Sequence, residues 1–164
     1  METIFTPWRH RYLAEQGQDK TGCFFCDAAA APPSGDTLVV GGSEHHIVML
    51  NLHPYTNGHL MVAPRAHVAS PETASPAARA EFWDVVLRAR RVLETAYRPH
   101  GFNLGMNLGR SAGAGVPDHF HMHVVPRWDG DNNFMTVVGG TRLVPEELGT
   151  TRDRLRDLFR ETLS

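Results

Sequence analysis

Three histidines alternate with apolar residues in one short stretch of this chain. The stretch reads His119-Phe120-His121-Met122-His123-Val124-Val125, and a period of two is typical of a β-strand with one polar and one buried face. The three imidazoles therefore share one face, while the apolar residues between them anchor the strand to a core. Because basic side chains stacked on one face gain nothing from packing, the stretch indicates catalysis or, as the alternative, a metal site.

A glycine-rich loop comes directly before these histidines. It reads Asn107-Leu108-Gly109-Arg110-Ser111-Ala112-Gly113-Ala114-Gly115-Val116. Closely spaced glycines let backbone N–H groups converge on an anion. A loop of this composition is by itself more typical of a plain turn. Placed just before three histidines, it favours phosphate chemistry over metal binding.

Length and charge limit the kind of protein. A chain of 164 residues fits one compact domain, residues 1–164, with an N-terminal arm over 1–20 and a C-terminal tail and helix over 140–164. A net charge of -2 gives no broad attraction for nucleic acid or for an anionic membrane. The sequence has no apolar segment typical of a signal peptide or a membrane span. We therefore expect a soluble, cytoplasmic protein.

The pattern of strands and helices predicts an α+β fold. Short β-prone runs occur at 37–40, 46–50, 60–63 and 102–108, and the histidine stretch 119–125 is a further strand. Ser75 followed by Pro76 predicts a helix start, and apolar residues at helical spacing continue to a stop at Pro99. A last helix is predicted from about Thr151 to Leu163. The strands are mixed with two separate helices and show no βαβ alternation.

Cys23 and Cys26 are the only cysteines, and they form a CxxC pair. This spacing is that of half a structural zinc site. A redox pair is an alternative, although no thioredoxin-like βαβ pattern follows it. Two buried free cysteines are the third interpretation.

Several segments together resemble the histidine-triad (HIT) superfamily. The stretch 119–125 matches its signature of three histidines alternating with apolar residues, which is highly specific. Asn51-Leu52-His53-Pro54-Tyr55-Thr56-Asn57-Gly58-His59-Leu60 is similar to its strand-turn-strand segment. Likeness to the bacterial branch of diadenosine tetraphosphate phosphorylases and hydrolases rests on further segments: Pro7-Trp8-Arg9, Gly22-Cys23-Phe24-Phe25-Cys26, Ala112-Gly113-Ala114-Gly115-Val116, Val125-Pro126-Arg127-Trp128 and Gly130-Asp131-Asn132-Asn133-Phe134-Met135.

The resemblance implies catalytic roles for three histidines. It makes His121 the nucleophile, which suits a neutral imidazole near pH 7 because the phosphoramidate it forms transfers readily to an acceptor. The other ring nitrogen of His121 needs a backbone carbonyl, which the family places in the region of His59. His123 and His59 would supply positive charge or hydrogen bonds to phosphate oxygens.

The resemblance also implies substrate contacts. Asn51 matches the position that binds ribose, and Asn107 matches an amide at the α-phosphate or ribose side. Better-known members carry Gln and Ser or Thr shortly before the triad, whereas this chain has Gly115 and Val116 there with one residue inserted. We therefore expect backbone amides of the loop to contact the phosphate: Gly113, Ala114, Gly115 and Val116.

A metal site and a dimer follow from the same resemblance. In branches with the CxxC pair, the positions of His67 and His119 complete a zinc site, so Cys23, Cys26, His67 and His119 are expected to hold one structural Zn²⁺. The implied HIT fold is an antiparallel sheet with one long and one C-terminal helix. The family usually forms homodimers through the long helix and an adjoining strand.

The leading hypothesis is therefore an enzyme that cleaves dinucleoside polyphosphates, such as diadenosine tetra- or triphosphate. His121 would carry a transient nucleotidyl group, and water or phosphate would accept it. One alternative is a hydrolase of nucleoside phosphoramidates or adenylyl compounds. Another is a zinc-containing nucleotide-binding protein without turnover, and a third is an electron-transfer or catalytic metal protein.

Overall fold

The computed structural model describes residues 22–32, 36–131 and 145–162. The predicted N-terminal arm, residues 1–20, lies outside them. No helix in the described ranges is long and apolar enough to cross a membrane. The strands are β1 (Val39–Gly42), β2 (His46–Leu50), β3 (Leu60–Pro64), β4 (Gly101–Met106) and β5 (Met122–Arg127), and the helices are α1 (Phe24–Ala30), α2 (Pro76–Tyr97) and α3 (Leu148–Glu161).

The five strands form one antiparallel sheet in the order β1-β2-β3-β5-β4, which confirms the α+β class. Strands β2 and β3 are buried along their whole length, because the sheet is covered on both faces. Val48, Leu50 and Val62 pack against helices α2 and α3. On the opposite face, Ile47 and Met61 pack with Phe25 of α1.

Strands β1 and β2 form a hairpin, and the two glycines after the predicted run 37–40 extend β1 and do not form the turn. Gly41 pairs with Val48 and Gly42 with Ile47. A Cβ at Gly41 would lie 2.6 Å from Cδ1 of Phe159 in α3, so glycine is needed here for the close approach of the helix. The sequence gives no sign of this contact, since it joins residues 118 positions apart.

The long helix α2 follows its sequence signals closely. The Ser75 hydroxyl accepts a hydrogen bond from the Ala78 amide at 3.2 Å, and Pro76 occupies the first helical position. Residues at helical spacing are buried against the sheet: Ala78, Phe82, Val85, Val86, Ala89, Val92 and Leu93. The helix ends at Tyr97, and Arg98 after it adopts a left-handed conformation with φ 45, immediately before Pro99.

The last helix, α3, begins at Leu148, three residues before the predicted start at Thr151. The Thr151 hydroxyl donates to the Glu146 carboxylate at 2.7 Å, so it ties the first turn of the helix to the chain before it and does not mark the helix start. Leu155 and Phe159 of this helix are buried. Leu163 lies outside the described residues.

The predicted bounds of two strands also need correction. Strand β5 begins at Met122 and not at His119, because the preceding backbone bonds elsewhere: the Phe120 amide donates to the Val68 carbonyl at 2.9 Å. Its pairing with β3 begins at the Val62–Met122 pair. Strand β4 spans Gly101–Met106 and not residues 102–108. Phe120, Met122 and Val124 are buried in the core as the alternation predicts.

Candidate active site

His121 is buried, with 5% of its surface exposed, and its tautomer is fixed by one hydrogen bond. Its Nδ1 lies 3.1 Å from the His119 carbonyl oxygen. A carbonyl oxygen only accepts hydrogen bonds, so Nδ1 carries the proton and Nε2 keeps its lone pair. The expectation of a backbone carbonyl is confirmed, but the carbonyl lies two residues earlier on the same segment and not in the region of His59.

A chain of hydrogen bonds orients the neighbouring His59–His123 pair. The Tyr55 amide donates to Nδ1 of His59 at 3.1 Å, so the proton of the His59 ring is on Nε2. That Nε2 donates to Nδ1 of His123 at 2.9 Å. The proton of the His123 ring is consequently on Nε2, which is the donor that this side chain offers to a ligand.

The electrostatics of the site keep His121 and His123 uncharged at neutral pH. Burial lowers the pKa of His121, and its hydrogen bond to the His119 carbonyl offsets part of this effect. Burial, together with the neighbouring His121, lowers the pKa of His123 to about 4. In the free protein His123 is therefore a hydrogen-bond donor and not the positive charge that sequence reasoning allowed.

Two aromatic residues support these histidines, and sequence reasoning missed both roles. The Phe25 ring lies 5.1 Å from the His119 ring and 4.7 Å from the His121 ring, measured between centroids. The Tyr55 ring lies 4.5 Å from His59 and 6.0 Å from His123. The available signals were weak, since Phe25 is one of two phenylalanines inside the CxxC pair and Tyr55 precedes His59 by four positions.

The structure places the predicted substrate residues around the histidines. The Asn51 side-chain amide nitrogen lies 3.5 Å from Nδ1 of His59, while its carbonyl oxygen accepts from the His53 amide. The Asn107 amide donates to the Gly113 carbonyl at 3.4 Å, which ties the start of the loop to its centre. Substrate contacts of Asn51 and Asn107 stay predictions.

Two amides of the glycine-rich loop donate within the loop itself. The Gly113 amide donates to the Arg110 carbonyl at 2.9 Å, and the Ala114 amide donates to the Gly109 carbonyl at 3.4 Å. Gly113 has φ 82, a left-handed conformation that favours glycine. The prediction that all four amides, Gly113 to Val116, contact a phosphate stays a prediction, and Gly115 and Val116 are the better candidates.

A second group of donors lies beside the triad. Cys23, Cys26, His67 and His119 each offer one ligand atom, and these atoms lie within 4.8 Å of one another. Cys23 Sγ is 3.2 Å from His119 Nδ1, and Cys26 Sγ is 3.3 Å from His67 Nδ1. His119 Nε2 donates to the Pro64 carbonyl at 2.8 Å, so its Nδ1 lone pair faces the sulfurs. This group could hold a metal ion, and of the three triad histidines it includes His119 only.

A pocket of about 570 Å³ opens beside His123 over strands β4 and β5. At its far end Arg127 holds the Asp131 carboxylate by two hydrogen bonds, at 2.5 and 2.8 Å, and donates to the Asn103 carbonyl oxygen at 2.7 Å. The lining consists of Tyr55, Thr56, Asn103, Leu104, Gly105, Met106, Asn107, His123, Val125 and Arg127.

The family follows from comparison with known proteins. The model of the HIT domain matches residues 33–130, which is more than half of the chain. The chain belongs to the HIT domain family. A relative named AP-4-A phosphorylase, from Mycobacterium tuberculosis (strain CDC 1551 / Oshkosh), is 39% identical to this HIT protein over 162 residues, covering 93% of this chain and 81% of the relative.

Solved structures of HIT proteins share the fold. A Zn-bound histidine triad family protein from Mycobacterium smegmatis superimposes with a TM-score of 0.68 at 27% identity, covering 86% of this chain and 95% of that one. A hypothetical histidine triad nucleotide-binding protein from Sulfolobus tokodaii strain7 gives a TM-score of 0.68 at 26% identity, covering 85% and 93%. The HIT fold expected from the sequence is thereby confirmed.

Proposed function

We propose that this protein transfers a nucleotidyl group from a dinucleoside polyphosphate to inorganic phosphate through His121. That it is a HIT enzyme of the nucleotide hydrolase or phosphorylase kind follows from the family and from its AP-4-A phosphorylase relative. The substrate, the acceptor and the residue roles are the finer part of the proposal. The observation that carries it is the buried, neutral His121, whose Nε2 lone pair is left for attack by the hydrogen bond from Nδ1 to the His119 carbonyl.

In the first step Nε2 of His121 attacks the α-phosphorus and forms a P–N bond. The P–O bond to the β-phosphate breaks, and for diadenosine tetraphosphate ATP leaves. The imidazole becomes positively charged as the bond forms, and the His119 carbonyl oxygen, 3.1 Å from Nδ1, stabilises that charge. The His123 Nε2–H donates to a phosphate oxygen, where a positioned donor contributes most in the transition state.

In the second step an oxygen of inorganic phosphate attacks the same phosphorus. The P–N bond breaks, His121 is regenerated as the neutral tautomer, and ADP is released. Water as the acceptor would instead release AMP. The name of the M. tuberculosis relative favours phosphate. Splitting one displacement into two easier steps is the general gain of covalent catalysis.

We propose further that Cys23, Cys26, His67 and His119 hold a structural zinc ion. Two thiolates and two imidazoles are a usual tetrahedral donor set for zinc. The hydrogen bond from His119 Nε2 to Pro64 is the outer contact that fixes the tautomer of a metal-binding histidine. When bound, the ion would cross-link α1 to the triad segment. Because the His119 carbonyl also accepts from His121, this cross-link would orient the nucleophile.

A homodimer through α2 and β4 is also proposed. Strand β4 is an edge of the sheet, and Leu104 on it is 40% exposed. Trp83 and Leu87 of α2 are 54% and 42% exposed and lie at helical spacing with Arg90, whose guanidinium sits over the Phe102 ring of β4. Exposed apolar side chains beside a sheet edge suit contact with a second copy.

The test is to incubate the pure protein with diadenosine tetraphosphate, with and without inorganic phosphate, and to separate the nucleotides. ADP plus ATP appearing only with phosphate supports the proposal. AMP plus ATP regardless of phosphate would make the protein a hydrolase. Products from a phosphoramidate substrate alone would favour the alternative chemistry. His121→Ala should lose turnover, and His100→Ala, an exposed histidine, is the matched control.

A further inference from the structure

His59 directly follows a tight turn, residues 55–58, which also carries the donor that orients its ring. The His59 amide donates to the Thr56 carbonyl at 3.3 Å, and Gly58 between them has φ 73, which is typical of the third residue of a type II turn. The Tyr55 amide at the start of the turn donates to Nδ1 of His59. The conformation of this turn therefore determines whether the amide meets the ring.

The turn lies on the C-terminal end of α2. A Cβ at Gly58 would be 2.9 Å from Cδ2 of Leu93 and 3.1 Å from Cε2 of Tyr97, so the backbone of the turn packs closely on these two side chains. Leu93 is fully buried, whereas Tyr97 is only half-buried. The core holds Leu93 from all sides, so the position of the turn depends on what holds the Tyr97 ring.

The Tyr97 ring is held by Glu146, which lies two residues before α3. The Tyr97 hydroxyl donates to Oε2 of Glu146 at 2.5 Å, and the Thr151 hydroxyl donates to the same oxygen at 2.7 Å. The Arg154 guanidinium lies 2.8 Å from Oε1 and 5.4 Å from the centroid of the Tyr97 ring. Burial and the Glu146 carboxylate raise the pKa of Tyr97 to about 12, so its hydroxyl stays a donor at neutral pH.

Glu146 also contacts the turn itself. Its side chain is 17% exposed, and burial by itself would raise its pKa. The donors around the carboxylate lower the pKa instead, and the Asn57 side chain in the turn is one of them. Because a carboxylate only accepts hydrogen bonds, Asn57 donates from its amide nitrogen. The Asn57 carbonyl oxygen is buried and finds no partner in the described ranges, so the contact with Glu146 is what orients this amide.

One carboxylate thus joins three segments: the turn before His59, the end of α2 and the start of α3. Removing a carboxylate from water is unfavourable unless donors satisfy it, so these donors hold the three segments in one arrangement. Glu146 lies outside residues 33–130, the part of the chain that matches the HIT domain.

We propose that Glu146 is a positioning residue for the His59–His123 pair. Through the Tyr97 ring it holds the turn where the Tyr55 amide meets His59, and it thereby keeps the N–H of His123 directed at the substrate. This rests on the proposed function and deepens it, because the segment before α3 then helps to orient a donor used in the reaction.

The test follows the ring protons by nitrogen NMR of protein with isotope-labelled histidines, without substrate. Glu146→Gln keeps the shape of the side chain and removes its charge and one acceptor oxygen. We expect the signals of His59 and His123 to move toward a mixture of the two tautomers. The His121 signals are an internal reference and should stay unchanged, since the His119 carbonyl orients that ring. Unchanged signals of the His59–His123 pair would overturn the proposal.

Glu81→Gln is the matched control. Glu81 also joins a turn to α2, since it accepts from the Ser43 hydroxyl at 2.8 Å, but the turn between β1 and β2 carries neither histidine of the pair. Both variants should unfold at lower urea concentration than the unaltered protein. Only Glu146→Gln should change the histidine signals and lower kcat, by about tenfold for a displaced donor. Equal losses of kcat in the two variants would show a purely structural role and contradict the proposal.

Tyr97→Phe is the milder variant, for use if Glu146→Gln folds poorly. It keeps the ring against Gly58 and removes only the hydroxyl, and it should shift the same histidine signals. In a Glu146→Gln background it should add little, because both substitutions act on one contact. Additive shifts would mean that Glu146 does not act through Tyr97. If the unaltered protein does not cleave the dinucleotide, the proposed function fails, while the histidine signals still decide whether Glu146 positions the pair.

Discussion

Nε2 of His59 lies 2.9 Å from Nδ1 of His123, and this pair joins β5 to the residue that immediately precedes β3, the neighbouring strand in the sheet. The positions of the ring protons in this pair are set at His59, where the Tyr55 amide donates to Nδ1. A backbone N–H thereby determines which nitrogen of His123 is a donor. His121, the proposed nucleophile, is oriented independently by the His119 carbonyl.

The donor role of His123 can be tested with two substitutions. Glutamine keeps an N–H near the position of the imidazole Nε2, whereas alanine removes it. We expect His123→Ala to lower kcat about 10²- to 10³-fold, as for loss of one positioned donor, and His123→Gln to recover a measurable part. Steady-state kinetics on the dinucleotide would check this. Equal losses in both variants would show that the N–H is not what His123 contributes.

The depressed histidine pKa values predict loss of stability in mild acid. The pKa of His123 is lowered from 6.5 to about 4, and that of His46 is also lowered, in both cases chiefly by burial. Below pH 6.5 the unfolded chain binds protons that the folded chain does not, so the free energy of unfolding falls as pH decreases toward 4 and is unaffected above 6.5.

Urea denaturation between pH 7.5 and 5.5 measures this effect before protonation of carboxylates in the unfolded chain contributes. The pKa values of Glu81 and Glu146 are lowered from 4.5 in the folded protein, Glu81 by hydrogen bonds from Ser43 and His46 that outweigh its burial, so their own loss of stability sets in only as pH approaches 4.5. The slope should be shallower in His123→Gln. A flat profile from pH 6.5 to 5.5 would contradict the assignment of neutral buried histidines.

Removal of the metal group should affect both stability and catalysis. Cys23→Ala is expected to lower metal content from about one zinc per chain to near zero. The melting temperature should fall by about 10 °C, because loss of the metal costs several kcal/mol and each kcal/mol lowers Tm by about 2–4 °C in a domain of this size. Turnover should fall too, because His119 both joins the group and accepts from His121. Elemental analysis and calorimetry are the measurements.

Chelation provides the control for that variant. The unaltered protein stripped of metal should match Cys23→Ala in melting temperature, and adding zinc should restore only the unaltered protein. If the stripped protein keeps its melting temperature, the cysteines and histidines form no structural metal site.

Gly41 is expected to be sensitive to even a methyl group. A Cβ there would lie 2.6 Å from Cδ1 and 3.1 Å from Cβ of Phe159, so α3 must shift outward. Gly41→Ala should destabilise the protein by about 1–3 kcal/mol, a usual cost of overpacking. Gly101→Ala, in open space, should be nearly neutral. A smaller loss for Gly41→Ala in a Phe159→Leu background would identify the clash as the cause.

The proposed dimer predicts that a charge on its apolar surface dissociates it. Trp83→Glu places a carboxylate at the centre of the exposed residues of α2, and burying it unpaired would cost several kcal/mol. Light scattering after gel filtration should show a dimer for the unaltered protein and a monomer for the variant. Thr95→Glu, which adds the same charge at an exposed position of α2 about a third of a turn away from Trp83, should leave the mass unchanged. A monomeric unaltered protein would rule the proposal out.

Local signals in the sequence were enough for most of the fold. Ser75 and Pro76 fixed the start of α2, and the alternation through Phe120, Met122 and Val124 identified the buried side of the histidine segment. The bounds of β5 were wrong because backbone pairing, and not side-chain alternation, decides where a strand begins. Phe120 keeps the alternation while its amide bonds to Val68, which lies outside the sheet.

The sequence by itself determined the class of fold, the set of candidate nucleophiles and metal ligands, and the resemblance to HIT proteins, since these depend on residue types at short spacings. Only the tertiary structure decided the proton positions on His121 and His123. It also decided the need for glycine at position 41, where α3 approaches closely, and the pairing of Arg127 with Asp131 and Asn103 at the end of the pocket. Each of these depends on a partner brought close by folding. A hydrogen bond or a clash acts over a few ångströms, and distances of that kind between segments far apart in the chain are not encoded in local sequence.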